Sequence, residues 1–172
     1  GDPEARLLVV GLAPGRTGAN RTGRPFTGDY AGMLLYETLL KLGLATGTYE
    51  ARPDDSVHLV DCMITNAVRC APPGNKPVTA EEANCRPFLT ARIAALPRLK
   101  VIVTLGDVSR RNVLRALGLK ANGGAPGHGS EFQAGPYTVI NSYHCSRLNT
   151  NTGRLTPAMF EAVFQRAKAL LA

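Results

Sequence analysis

The sequence predicts an α/β fold: a three-layer α/β/α sandwich built on a four-stranded parallel sheet. Three observations predict it. Strand and helix patterns alternate along the whole chain. The strand-like runs are short, apolar and β-branched, as expected for strands covered on both faces. Three segments of unusual composition, 13 to 29, 69 to 77 and 142 to 154, each follow one of those runs. Ligands of open parallel sheets bind outside the carboxyl ends of the strands, so these three segments should converge on one sheet edge and form a single site.

The first strand is Leu7-Leu8-Val9-Val10-Gly11-Leu12. The loop after it, Ala13 to Gly28, holds four glycines, two prolines and three arginines. That is too long and too unusual for simple punctuation, which marks a functional loop. Asp29 stands where a helix N-cap belongs, and Met33, Leu34, Leu39, Leu40 and Leu42 give the next helix an apolar face ending at Gly43. Val57 to Val68 reads as the second strand and runs into Arg69-Cys70-Ala71-Pro72-Pro73-Gly74-Asn75-Lys76-Pro77. Thr79 with Glu82 has the spacing of a capping box. It opens a helix to about Leu96 with Phe88, Leu89, Ile93 and Leu96 on its apolar face, which Pro87 should kink or split and Pro97 should end. Lys100 to Leu105 is the third strand, with Gly106 and Asp107 turning into a helix through about Leu117. A glycine-rich stretch from Ala121 to Ser130 precedes the fourth strand, Tyr137 to Ile140, and the last helix begins near Thr156-Pro157. Right-handed crossovers would join the strands.

The 172 residues suffice for one domain, and 44% hydrophobic residues suffice for a core. With 20 Lys+Arg against 13 Asp+Glu the net charge is +7, spread rather than gathered in a tail, which favours an acidic partner such as nucleic acid. No apolar run approaches the ~18 residues of a membrane span, and Gly1 to Val10 lack the features of a signal peptide. The chain therefore reads as soluble, intracellular and cytoplasmic, and a monomer is expected. Four cysteines, none in a C-x-x-C pair, suit thiols or metal ligands better than a disulfide scaffold.

Several chemistries are excluded by missing motifs. No G-x-x-x-x-G-K-[ST] or G-x-G-x-x-G follows a strand, and no G-x-S-x-G is present. A metal-dependent nucleotide hydrolase would need a carboxylate cluster that is absent. The three loops instead carry a carboxylate (Asp29), an imidazole (His144), amides (Asn66, Asn75), aromatics (Phe26, Tyr143) and the cations Arg16, Arg21, Arg24, Arg69, Lys76 and Arg147. An amide to read a base edge, an aromatic to stack on it and cations for phosphates suit chemistry on an extruded nucleobase. His58, inside a strand, and His128, in the glycine-rich stretch, read as structural or incidental.

The motifs GLAPG (11–15), NRTGRPFTGD (20–29), AVRCAPPGNKP (67–77) and SYH (142–144), with Asn149-Thr150 and TGRLT (152–156), closely resemble the family 5 uracil-DNA glycosylases, the type B enzymes of bacteria and archaea. The likeness runs in order through nearly the whole chain. It implies the uracil-DNA glycosylase fold, a four-stranded parallel sheet between helices. It also implies hydrolysis of the N-glycosidic bond of uracil, and of other deaminated bases such as hypoxanthine, in double-stranded DNA, leaving an abasic site.

By the same resemblance Asp29 matches the family's aspartate that orients water or stabilises the sugar cation. His144 matches the histidine that donates to the uracil oxygen, and Asn75 matches an asparagine that positions base or water. Asn66 stands where other branches of the superfamily read uracil with an asparagine and similar family 5 chains more often carry a small residue, so Asn66 and Asn75 are rival readers of the base. Phe26 would stack on the flipped base, with Gly11, Ala13 and Gly15 lining the site and the glycines allowing close backbone approach. Ser146, Arg147 and Leu148 lie where the superfamily has its intercalation loop, Leu148 as a wedge and Arg147 on a phosphate. Cys70 and Cys85, fourteen residues apart, have the spacing of two of the four thiolates of a 4Fe-4S cluster in similar enzymes. The other pair has no counterpart here, and because the resemblance begins at once at Gly1 the chain is expected to lack an N-terminal segment. Cys62 reads as a buried small hydrophobe. A second reading is a DNA damage-binding module with little or no catalysis.

Overall fold

The computed structural model describes residues Gly1 to Ala172. Strand β1 (Leu7–Gly11) is buried at every residue and lies inside a five-stranded sheet. It pairs in parallel with β4 (Cys62–Asn66) on one side and β5 (Val101–Leu105) on the other, and β5 pairs in parallel with β7 (Tyr137–Ser142). These are the four expected parallel strands. A fifth, β6 (Glu131–Ala134), lies antiparallel to β7 across the Gly135 turn and closes the order β4-β1-β5-β7-β6. Its four residues include a charge and only one deeply buried side chain, so its pattern is too weak to read as a strand before β7 is there to pair with it.

The alternation of β1 explains the layers. Leu7 and Val9 point into a core shared with Leu35, Tyr36 and Leu39 of α2 (Tyr30–Lys41) and Phe160 and Phe164 of α6 (Pro157–Ala169). Leu8 and Val10 point into a second core with Leu89 and Ile93 of α3 (Thr79–Ala94) and Val113 of α4 (Asp107–Ala116). Helices therefore cover both faces. No helix is long and apolar enough to cross a membrane.

Several local expectations are corrected. The run Val57 to Val68 is two strands: β3 (His58–Leu59) pairs with β2 (Ala45–Thr46) in a separate two-stranded sheet. The break falls at Asp61, whose backbone is left-handed (φ 53°) while its carboxylate accepts from the Arg6 amide and guanidinium, at 2.8 Å each. The N-cap of α3 is Val78, and Glu81 rather than Glu82 accepts from the cap N–H. Glu82 is buried and accepts from the Asn112 side chain at 2.9 Å. Pro87 does not split α3; the carbonyl it leaves unpaired belongs to Ala83, on the exposed face where water can bind it. Met33 and Phe88, placed on apolar faces by spacing, are 53% and 55% exposed. Two short helices lie inside the functional loops, α1 (Ala19–Thr22) and α5 (Arg147–Asn151).

The glycine-rich stretch is fastened at three points. Asn141 donates to the Ala125 carbonyl and to Ser130 Oγ, both at 2.8 Å, while accepting from Thr104 Oγ1 at 2.6 Å. Arg110 donates to the carbonyls of Ala121 and Gly123. His128 accepts the Tyr143 N–H at Nδ1 and donates to the Met159 carbonyl from Nε2, which defines a neutral tautomer in this pairing. Thr104→Val deprives the buried Asn141 of its hydroxyl partner. It should lower stability by about 1–3 kcal/mol in urea unfolding, the range for orphaning a buried polar group.

Candidate functional site

The carboxyl ends of β1, β4 and β7 deliver the three loops to one edge of the sheet. There they line a cavity of about 660 Å³. Ten of the residues predicted for the site line it: Ala13, Gly15, Phe26, Asp29, Asn66, Asn75, His144, Ser146, Arg147 and Leu148. Gly11 lies just beneath, at the floor. A Cβ there would come within 2.4 Å of Asn66 Oδ1 and 2.5 Å of Phe26 Cζ, so only glycine lets these two side chains meet over the end of β1.

Asp29 does two things at once. Its Oδ1 accepts from the Gly32 N–H at 3.0 Å and caps α2. Its Oδ2 faces the backbone of Gly15 and Gly18, where a Cβ on Gly18 would lie 2.6 Å away. Burial pushes the Asp29 carboxyl above its usual range, and the Gly32 N–H partly offsets that. His144 follows β7, and its ring lies 6.1 Å from that of Phe26. Burial holds its pKa down to about 4, so the imidazole is neutral at ordinary pH.

Asn66 is buried at the end of β4, and its Oδ1 has no hydrogen-bond partner. A buried amide oxygen left unpaired is costly unless a ligand supplies the donor. Asn75, its rival, sits exposed in a left-handed turn (φ 58°) at the rim. Ser146 caps α5 by accepting from the Asn149 N–H. The next two residues project outward: Leu148 is 72% exposed, and Arg147 lies over the Tyr30 ring at 5.0 Å.

Asn149 and Tyr30 also line the cavity, and neither carried a role there in the sequence reading. Asn149 holds the His144 carbonyl at 2.9 Å, and the Tyr30 hydroxyl accepts from Thr150 Oγ1 at 3.0 Å, seating α5 on α2. Asn149 was visible as part of a motif, but nothing in its spacing told that it would brace the histidine. Arg24, counted among phosphate-binding cations, is instead taken up by Asp55, at 2.7 and 2.9 Å. Arg16, Arg21, Arg69 and Lys76 remain exposed on the loops around the cavity.

The cysteines do not make up a cluster site within these residues. Cys70 is exposed, and Cys85 accepts the Arg69 N–H at 3.4 Å, but no third His, Cys, Asp or Glu joins them. Cys62 and Cys145 are fully buried, and burial pushes both thiols up to about 12.

Fold and site define a doubly wound α/β protein with one polar, aromatic-floored ligand cavity at the carboxyl edge of its parallel strands. The chain belongs to the uracil DNA glycosylase superfamily, whose family model matches residues 1–168. It is 44% identical over 171 residues to the Type-5 uracil-DNA glycosylase of Thermus thermophilus, covering 99% of this chain and 78% of that one. It is also 44% identical over 169 residues to that of Pyrobaculum aerophilum (98% and 74%), and 41% identical over 177 residues to that of Mycobacterium tuberculosis (99% and 65%). The crystal structure of Pedobacter heparinus SMUG2 shares the fold, with a TM-score of 0.60 over 98% of this chain and 76% of that one at 14% identity.

The two oxygens of Asp29 can be separated by mutation. Asp29→Ala should cost about 1 kcal/mol through loss of the cap, while Asp29→Ser, itself a good N-cap, should unfold within a few tenths of a kcal/mol of the parent in urea.

Proposed function

We propose that this protein is a monofunctional uracil-DNA glycosylase, hydrolysing the N-glycosidic bond of uracil in DNA and leaving an abasic site. The observation that carries the reading is the buried, unpartnered Asn66 Oδ1 in the same cavity as Asp29 and His144. A uracil imide edge offers an N–H donor beside carbonyl acceptors, and an amide offers the complementary pair. The base enters over Gly11, stacks on Phe26 and is read by Asn66; Asn75, at the rim, serves water or the sugar.

Breaking the bond builds positive charge on the deoxyribose and negative charge on the departing base. Asp29 stabilises the first, its carboxylate fixed by the Gly32 N–H so that no reorganisation is needed. His144 answers the second as a neutral N–H donor. A protonated imidazole would be the stronger donor, but enclosure of the ring keeps the proton off until about pH 4. Leu148 enters the stack vacated by the base and Arg147 leaves the Tyr30 ring for a phosphate. Duplex DNA bound by a monomer inside the cell, with hypoxanthine as a further base, completes this reading. Cys70 and Cys85 are kept as half of a cluster ligand set, and no catalytic step passes through them. A module that only binds damage is not favoured, because it has no use for a half-buried carboxylate in one cavity with a neutral histidine.

Single-turnover release of uracil from a duplex with one G·U pair, scored by strand breaks after alkali, tests the assignment. Asp29→Ser and His144→Ala should each slow release by roughly a hundredfold or more while the proteins stay folded. Full activity in Asp29→Ser would leave the carboxylate only its capping role.

The pH profile has a defined sign. Activity requires Asp29 ionised. Asp29's carboxyl is raised, so the carboxylate is lost in acid at a pH above its usual range, while His144 stays a neutral donor until about pH 4. The single-turnover rate should be level through neutrality and fall in acid as Asp29 takes up its proton. A rate that rises on acidification would contradict a neutral donor.

A further inference from the structure

Phe26 adopts a left-handed backbone (φ 56°), which a residue with a Cβ rarely accepts. The side chains that hold it there come largely from outside the recognised motifs. Tyr49 donates its hydroxyl to the Phe26 carbonyl at 3.1 Å, and Tyr36 donates to the Pro25 carbonyl at 2.8 Å. α2 packs closely on the same carbonyl: a Cβ on Gly32 would lie 1.7 Å from it and 2.7 Å from the Tyr49 hydroxyl. Arg24 Nε donates to Thr27 Oγ1 at 2.7 Å, and its two terminal nitrogens meet the two oxygens of Asp55. The guanidinium lies over the rings of Tyr36 and Tyr49, at 5.2 and 5.9 Å, and those rings stack on each other at 4.6 Å.

Asp55 is fully covered, and it also accepts from the amides of Glu50 and Val57, at 2.9 and 3.1 Å. One carboxylate thereby folds the loop 47–57 that presents Tyr49 and anchors the arginine of the active-site loop. Arg24 and these amides hold the Asp55 carboxyl far below the usual carboxylate range, while burial pushes the Tyr36 and Tyr49 hydroxyls up. The clamp thus keeps its charges and its donors across the working pH range.

We propose that Tyr49 and Asp55 are positioning residues for the base pocket, holding the Phe26 ring in the plane on which the extruded base rests. This rests on the reading above that Phe26 stacks on the base. Neither residue touches the substrate; they act through the Phe26 carbonyl and through Arg24. Their effect should fall on recognition of the base and on the chemical step, and not on affinity for the DNA backbone.

Tyr49→Phe keeps the ring stack and removes only the hydroxyl, and Asp55→Asn keeps the shape and removes the charge. Four quantities are read: single-turnover uracil release, inhibition by free uracil, affinity for a duplex carrying an abasic site, and the thermal unfolding midpoint. Each variant should slow release by roughly tenfold and weaken inhibition by free uracil by a similar factor, with abasic-duplex affinity changed by less than about twofold. Lys41→Ala, which opens the Lys41–Glu161 surface pair, should change none of them. Should Asp55→Asn fail to fold, Tyr49→Phe decides alone. Folded Tyr49→Phe protein with parental release and parental uracil inhibition overturns the clamp. So does a loss that abasic-duplex affinity shares in full. Parent protein that releases no base overturns the glycosylase reading itself, and the clamp with it.

Discussion

The parallel register that sets Gly11 beside Asn66 is the constraint on which the rest of the site depends. β1 is flanked by β4 and β5, and β5 by β7, with all four strands running the same way, so their carboxyl ends come out together. A slip of one residue between β1 and β4 would move the Asn66 amide to the other face of the sheet. Such slips are opposed by burial on both faces, since Leu7 and Val9 belong to one core and Leu8 and Val10 to the other. The hydrophobic layers thus set the position of a polar group to which they contribute no chemistry.

On that platform the chain shifts two ionisable groups in opposite directions for one shared reason, partial removal from water. Burial raises the Asp29 carboxyl and lowers the His144 imidazole, and in each case favours the uncharged form. Only Asp29 is given a compensating donor, the Gly32 N–H at the start of α2. An N-terminal helix turn also favours negative charge. The same position that makes Asp29 a good helix cap therefore keeps it a carboxylate, and structural and chemical roles reinforce each other.

Much of this was legible in the residues. The alternation of patterns revealed four parallel strands, and the odd composition of three strand-end loops marked the site, because glycine, proline and uncompensated charge are costly in ordinary connections. The Asp29 cap and the strand-end placement of His144 followed from the same reading. Less legible were features whose signal exists only between distant segments. Strand β6 is a strand because β7 offers it an edge. Arg24 looked like a free cation because Asp55, its partner, lies 31 residues away in a loop with no motif. Asn149 was noticed in a motif, yet its brace on the His144 carbonyl depends on how α5 folds back.

By itself the sequence determined the class of fold, the edge of the sheet where the loops meet and the inventory of reactive groups. Each of these follows from local spacing and composition. Tertiary structure alone decided which of two asparagines is buried without a partner, which arginine is neutralised, and how a phenylalanine is held in a left-handed turn. Those outcomes depend on desolvation and on contacts between remote residues, and neither quantity is defined until the layers have packed.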